Sequence, residues 1–121
     1  MAKRDLSGRS DEALTIPATD CRELISGADF DGELATFHLL GIIIYNSDGA
    51  ADAVVDIYDQ DEGVAVAANQ QFTIVAPFGV TTIVSLDAPG WQFHTNITAA
   101  TTGGTIAAYE AGAWGYLEGG M

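Results

Sequence analysis

The feature that most restricts this fold is the length of its apolar runs. From Cys21 onward they are strand-sized and separated by turn chemistry, and no window keeps a 3.6-residue period. The candidate strands cover residues 21–25, 35–46, 53–59, 64–68, 71–76, 80–87, 91–94, 96–99 and 105–110. Between them stand Asp31-Gly32, Asp48-Gly49 and Gly103-Gly104, dipeptides that accept positive φ, and the Pro-Gly turns 76–79 and 88–90. The pattern predicts an all-β protein: an antiparallel β-sandwich, jelly-roll-like, with an extended N-terminal arm. It also predicts hairpins joining Tyr45 to Val54 across Ser47-Asp48-Gly49, and Ile97 to Ile106 across Thr102-Gly103-Gly104.

Alternation assigns the faces. Ala53, Val55 and Ile57 share one side of their strand, with Val54, Asp56 and Tyr58 on the other; Val80, Thr82, Val84 and Leu86 oppose Thr81, Ile83 and Ser85. Residues 39–45 scarcely alternate and are expected to be covered on both sides, with Gly41 marking a bulge. At 121 residues the chain fits one domain. It divides into an arm (1–19), a sandwich (20–110) and a Gly-rich tail (111–121) carrying Trp114 and Tyr116, large rings that need something to pack on. Within the arm, Ser10 followed by Asp11 and Glu12 could cap a short helix that Pro17 would stop.

Charge narrows the function classes. Seventeen acids against 4 bases give a net charge of −13, and all the bases, Lys3, Arg4, Arg9 and Arg22, precede Glu23. Such a body repels phosphate, so no nucleic-acid partner is expected and no anionic membrane. The acidity serves solubility or a salty environment, or it complements a basic arm reaching an acidic neighbour. Lys3, Arg4, Arg9, Arg22, Trp114 and Tyr116 are therefore the candidate protein-contact residues. The start of the chain has no apolar h-region, and residues 39–45 fall well short of the ~20 a membrane helix needs. The expectation is a protein made and kept in the cytosol until assembly.

Catalytic chemistry finds little to stand on. The single Cys21 reads as a small core residue, His38 sits within an apolar strand, and His94 ends one. No nucleophile-elbow spacing accompanies them. The acidic segments 59–63 and 29–33 resemble half of a calcium loop without the distal Glu, leaving at most weak calcium binding at Asp59 and Asp61. Asn96-Ile97-Thr98 fits the glycosylation pattern, incidentally so in a chain without a secretory signal. No catalytic residue, cofactor or resident metal is expected.

Several blocks between Phe37 and Glu110 are similar to those of small β-sandwich structural proteins of tailed bacteriophages. They are Leu40-Gly41-Ile42-Ile43-Ile44-Tyr45-Asn46-Ser47-Asp48-Gly49-Ala50, Ala53-Val54-Val55-Asp56-Ile57-Tyr58-Asp59, Phe72-Thr73-Ile74-Val75-Ala76-Pro77, Pro89-Gly90-Trp91-Gln92-Phe93-His94-Thr95-Asn96-Ile97-Thr98 and a closing Thr102-Gly103-Gly104-Thr105-Ile106-Ala107-Ala108-Tyr109. Asn96 stands where that family tends to have Gly, and the arm and tail lie outside the shared pattern. The resemblance implies a virion component, such as a capsid decoration or cement protein. Its partners would be the major capsid protein or other virion subunits, and it would be a homo-oligomer, with a trimer favoured. The alternative is a carbohydrate- or receptor-binding module of a spike or fibre, with Trp91, Trp114 and Tyr116 as stacking surfaces.

Overall fold

The computed structural model describes residues 3–15, 20–28, 30 and 34–119. In chain order the strands are β1 (Lys3–Arg9), β2 (Arg22–Glu23), β3 (Ala35–Tyr45), β4 (Ala53–Asp59), β5 (Gln70–Ala76), β6 (Thr81–Ser85), β7 (Trp91–Phe93), β8 (Ile97–Gly103) and β9 (Ala111–Gly119). Among the described residues the one helical turn is a 3-10 turn, Ala67–Asn69. The protein is all-β, as the sequence pattern predicts, with two antiparallel sheets in a sandwich.

The first sheet runs β1-β9-β3-β6, with β7 also paired to β3; the second runs β2-β8-β4-β5. β6 and β7 occupy successive stretches of one side of β3, opposite Gly41–Tyr45 and Phe37–Leu39 respectively. Between them the chain steps away at the cis Ala88-Pro89 bond and returns at Gly90, whose φ is 74°. A Cβ at Gly90 would collide with the Leu39 carbonyl, so only glycine lets the chain return this close to β3.

Period-2 burial builds one core between the sheets. Phe37, Leu39, Ile42 and Ile44 from β3 meet Val55 and Ile57 from β4, with Phe30, Phe93, Ile97 and Leu117 closing around them. Each such side chain, fully buried, contributes about 1.5–3 kcal/mol. The inward set of β3 passes from Leu39 to Ile42, where strict alternation would have chosen Gly41. This is the bulge expected there: the β3–β9 register shifts between Leu39 and Gly41. Of the two faces that alternation separates in β4, Ala53, Val55 and Ile57 form the one turned into this core, and in β6 Ile83 is exposed. A second, smaller cluster of Cys21, Tyr58 and Ala100 lies apart from this core.

Several expectations are corrected. The arm contains an edge strand: β1 pairs with β9 from Lys3↔Glu118 to Arg9↔Gly112. The tail contains β9, an interior strand flanked by β1 and β3. Neither expected hairpin forms, because β3 and β4 belong to different sheets, and residues 105–110 supply only an isolated bridge from Ile106 to Leu14. The hairpin that does form joins β4 and β5 across residues 60–69, where the expected strand at 64–68 gives way to the 3-10 turn. No helix forms at Ser10; its hydroxyl donates to the Glu12 carbonyl at 2.6 Å, a local turn that takes the place of a cap. Pro17, the Asp31-Gly32 turn and most of the acidic segment 29–33 lie outside the described residues.

Candidate interaction surface

The candidate contact residues are largely engaged within the molecule. On the outer face of the first sheet, the Lys3 ammonium lies 3.6 Å from a Glu118 carboxylate oxygen and 5.1 Å from the centre of the Tyr116 ring. Arg9 donates to the Tyr109 carbonyl at 3.2 Å. Arg22 pairs with Glu12 and, at 3.7 Å, with Asp20. Arg4, at the same edge, belongs to β1 and faces Leu117 in the register. Lys3, Arg9 and Arg22 thus each meet an acid or a carbonyl of their own chain.

Trp114 and Tyr116 pack on their own sheet. The Trp114 indole fills the space above Gly41, and Tyr116 stacks on His38 with ring centres 4.6 Å apart. Trp91 stands elsewhere, at the rim between the sheets, 41% exposed, edge-on to Phe72 and donating to Gln71 Oε1 at 3.1 Å. The three rings therefore do not form one row.

The polar groups that could suggest chemistry have structural partners. His38 Nδ1 lies 2.9 Å from the Pro89 carbonyl and Nε2 3.4 Å from Glu118. Cys21 is fully buried, and burial pushes its thiol up to about 11. Asp59 accepts from the backbone N–H groups of His94, Thr95 and Asn96, at 2.8–3.3 Å, so its carboxylate pins the turn between β7 and β8. Asp61 and Glu62 line an open, acidic recess with Glu23, but the Glu62 carboxylate accepts from Glu23 N–H and Glu23 accepts from Gly27 N–H and Asn96. Among the described residues no three His, Cys, Asp or Glu side chains are grouped to hold a metal ion.

A surface that none of the candidate residues marks is the most distinctive. Residues 63–86 contain no Asp, Glu, Lys, Arg or His in a chain of net charge −13. This stretch supplies β5 and β6, each the terminal strand of its sheet. The Trp91 contacts with Gln71 and Phe72 tie the β7 end of the first sheet to β5, so both edges share one flank of the sandwich. Ile83 (58% exposed) stands out on the outer face of the first sheet and Val75 (56%) on that of the second, Phe78 (48%) and Val80 (49%) lie in the connection between them, and Phe72, Val84 and Leu86 are only partly covered. Among the described residues the two strand edges are unpaired and the segment carries no charge of its own, the acids that reach it being Asp52, which accepts from Phe78 N–H, and Asp56, which accepts from Gln70 and Thr73. A scan for charge-free windows, in place of a search for unusual residues, would have found it.

Comparison with protein-family models, with curated proteins and with solved structures returned no match.

Proposed function

We propose that this chain is a non-enzymatic structural subunit of a virus particle. In this reading it is a capsid decoration or cement-type accessory protein, assembled in the host cytoplasm, that sits on the outside of the shell and stabilises it through protein–protein contacts. The observation that carries the reading is the charge-free flank formed by β5 and β6. Copies of a molecule with net charge −13 repel one another over most of their surface, and they approach at least cost where no charge stands. The occupant of the flank is a second copy of this chain, because an unpaired, uncharged strand edge is completed by another such edge and closed symmetry then hides it. Three copies about a threefold axis are the expected assembly, leaving their remaining surfaces for the shell.

Fold supports the same reading. Taken as one interrupted strand, β6 and β7 complete two four-stranded sheets in which the chain changes sheet at every connection between strands except β4–β5. That order fits a jelly roll, an architecture used in viral capsid and lectin domains. The engaged His38 and buried Cys21 agree with a role without catalysis.

Analytical ultracentrifugation at about 0.15 M salt tests the proposal, with charges screened beyond about 8 Å. A trimer mass is expected, strengthening as salt rises, and Ile83→Lys should return the protein to monomers with an unchanged β-sheet circular dichroism spectrum. A monomer at every concentration and salt would overturn self-assembly through the flank. Failure of the wild-type protein to co-sediment with bare shells would overturn the virion role.

A further inference from the structure

At the Arg9 end of the outer face of the first sheet lies a cleft of about 220 Å³ lined by Arg9, Ile43, Tyr45, Thr81, Tyr109 and Glu110. Its aromatic members are conspicuously wet: Tyr45 is 43% exposed and Tyr109 62%. Tyr109 also holds φ at 68°, a backbone conformation that glycine or asparagine adopts far more cheaply than a bulky aromatic. Its N–H donates to the Ser10 carbonyl at 2.7 Å and its carbonyl accepts from Arg9, so Arg9 and Ser10 hold the backbone that carries the ring. An exposed side chain in a strained conformation gains nothing for the core. Such strain is characteristic of sites that present a group to a ligand.

The polar groups of the cleft are oriented as well. Ser47 donates to the Glu110 carboxylate at 2.8 Å, which fixes that acceptor beside the rings. Arg9, tied to the Tyr109 carbonyl, brings a guanidinium to the same wall, and Thr81 adds a hydroxyl opposite Tyr45 in the strand register. Apolar ring faces with a few fixed donors and acceptors are the make-up of a small-molecule site, and the volume is below the ~300 Å³ at which drug-sized ligands begin.

We infer that this cleft binds a single neutral pyranose ring. The C–H face of such a ring covers a tyrosine, while its hydroxyls donate to Glu110 and accept from Arg9. A charged sugar acid is disfavoured, because one guanidinium stands against the field of a body of net charge −13. The cleft borders the charge-free flank, because Thr81 belongs to β6, so the titration is made on the Ile83→Lys chain as well as on the wild type.

Titration of the 15N-labelled chain with the methyl glycosides of glucose, galactose, mannose and N-acetylglucosamine, and with methyl glucuronide, tests the inference. Saturable shifts confined to the cleft are expected for at least one neutral probe, with a dissociation constant on the order of 1 mM. Tyr45→Ala and Tyr109→Ala should each weaken binding at least about tenfold, a loss of ~1.4 kcal/mol. Tyr109→Gly, which suits the backbone at that position, should lose binding while keeping or raising the melting temperature, which separates the ring's role from the fold. Saturation by no neutral probe, binding confined to the glucuronide, or binding unchanged in Tyr109→Gly would each overturn the assignment.

Discussion

The indole of Trp114 occupies the space that a Cβ at Gly41 would require. The two residues are register partners across β3 and β9, at the place where the bulge shifts the pairing. Gly41 thus does two things: it turns the inward set of β3 from Leu39 to Ile42, and it leaves room for the ring on the outer face. Gly41→Ala should cost about 1–3 kcal/mol, the range for forcing an extra methyl into a packed site. Urea unfolding should record the loss together with a changed Trp emission, whereas Gly49→Ala, with open space around its Cβ position, should change neither.

Asp59 joins the end of β4 to the turn before β8 by accepting from three consecutive backbone N–H groups. Asp59→Ala strands those donors and should destabilise by about 1–3 kcal/mol. Because these oxygens are already occupied by donors, EDTA and millimolar calcium should leave the wild-type melting temperature in the same place. A rise with calcium that vanishes in Asp59→Ala would reverse the structural assignment.

Cys21 gives the molecule an alkaline limit. Its thiol is raised from 9.0 to about 11, first by burial and then by the acids Asp20 and Asp56, with a Thr98 hydrogen bond opposing them. Below pH 9 the folded and unfolded chains both carry the proton and this group favours neither. Above it the unfolded chain deprotonates first, so stability falls as pH rises from about 9 to about 11. Burial raises the neighbouring Tyr58 phenol too, with Asp56 adding to the effect, and this acts in the same direction. Chemical denaturation as a function of pH should show the decline, Cys21→Ala should reduce it, and a thiol reagent at pH 8 should label the protein only after unfolding.

How much of this architecture could be read in advance depended on whether the signal was local. The bulge at Gly41 and the shared face of Ala53, Val55 and Ile57 are written in neighbouring residues and were legible. Partner choice was not. Ser47-Asp48-Gly49 reports a chain reversal correctly, with Asn46 Nδ2 bonding the Ala51 and Ala76 carbonyls and Asp48 capping Ala50 and Ala51, yet the reversal carries the chain from one sheet to the other. Turn chemistry constrains φ and is silent about which sheet follows. β1 was invisible because Leu6 is the one large apolar residue among its alternate positions. β9 was hidden by the glycines that make it possible: side chains at Gly112 and Gly115 would collide with the carbonyls of Gly8 and His38. Of the surface, the rings at Trp114 and Tyr116 were visible as residues in need of contacts, while the charge-free flank required noticing what a stretch lacks.

The place of β9 between β1 and β3 also sets a schedule. β1 emerges before the other strands of the sandwich, but its lateral partner is made after them, so the first sheet stays divided until Ala111–Gly119 has left the ribosome. Contacts this distant along the chain form slowly, and meanwhile the apolar edge of β3 remains uncovered. For this sandwich, the release of β9 and the completion of the fold become nearly the same event.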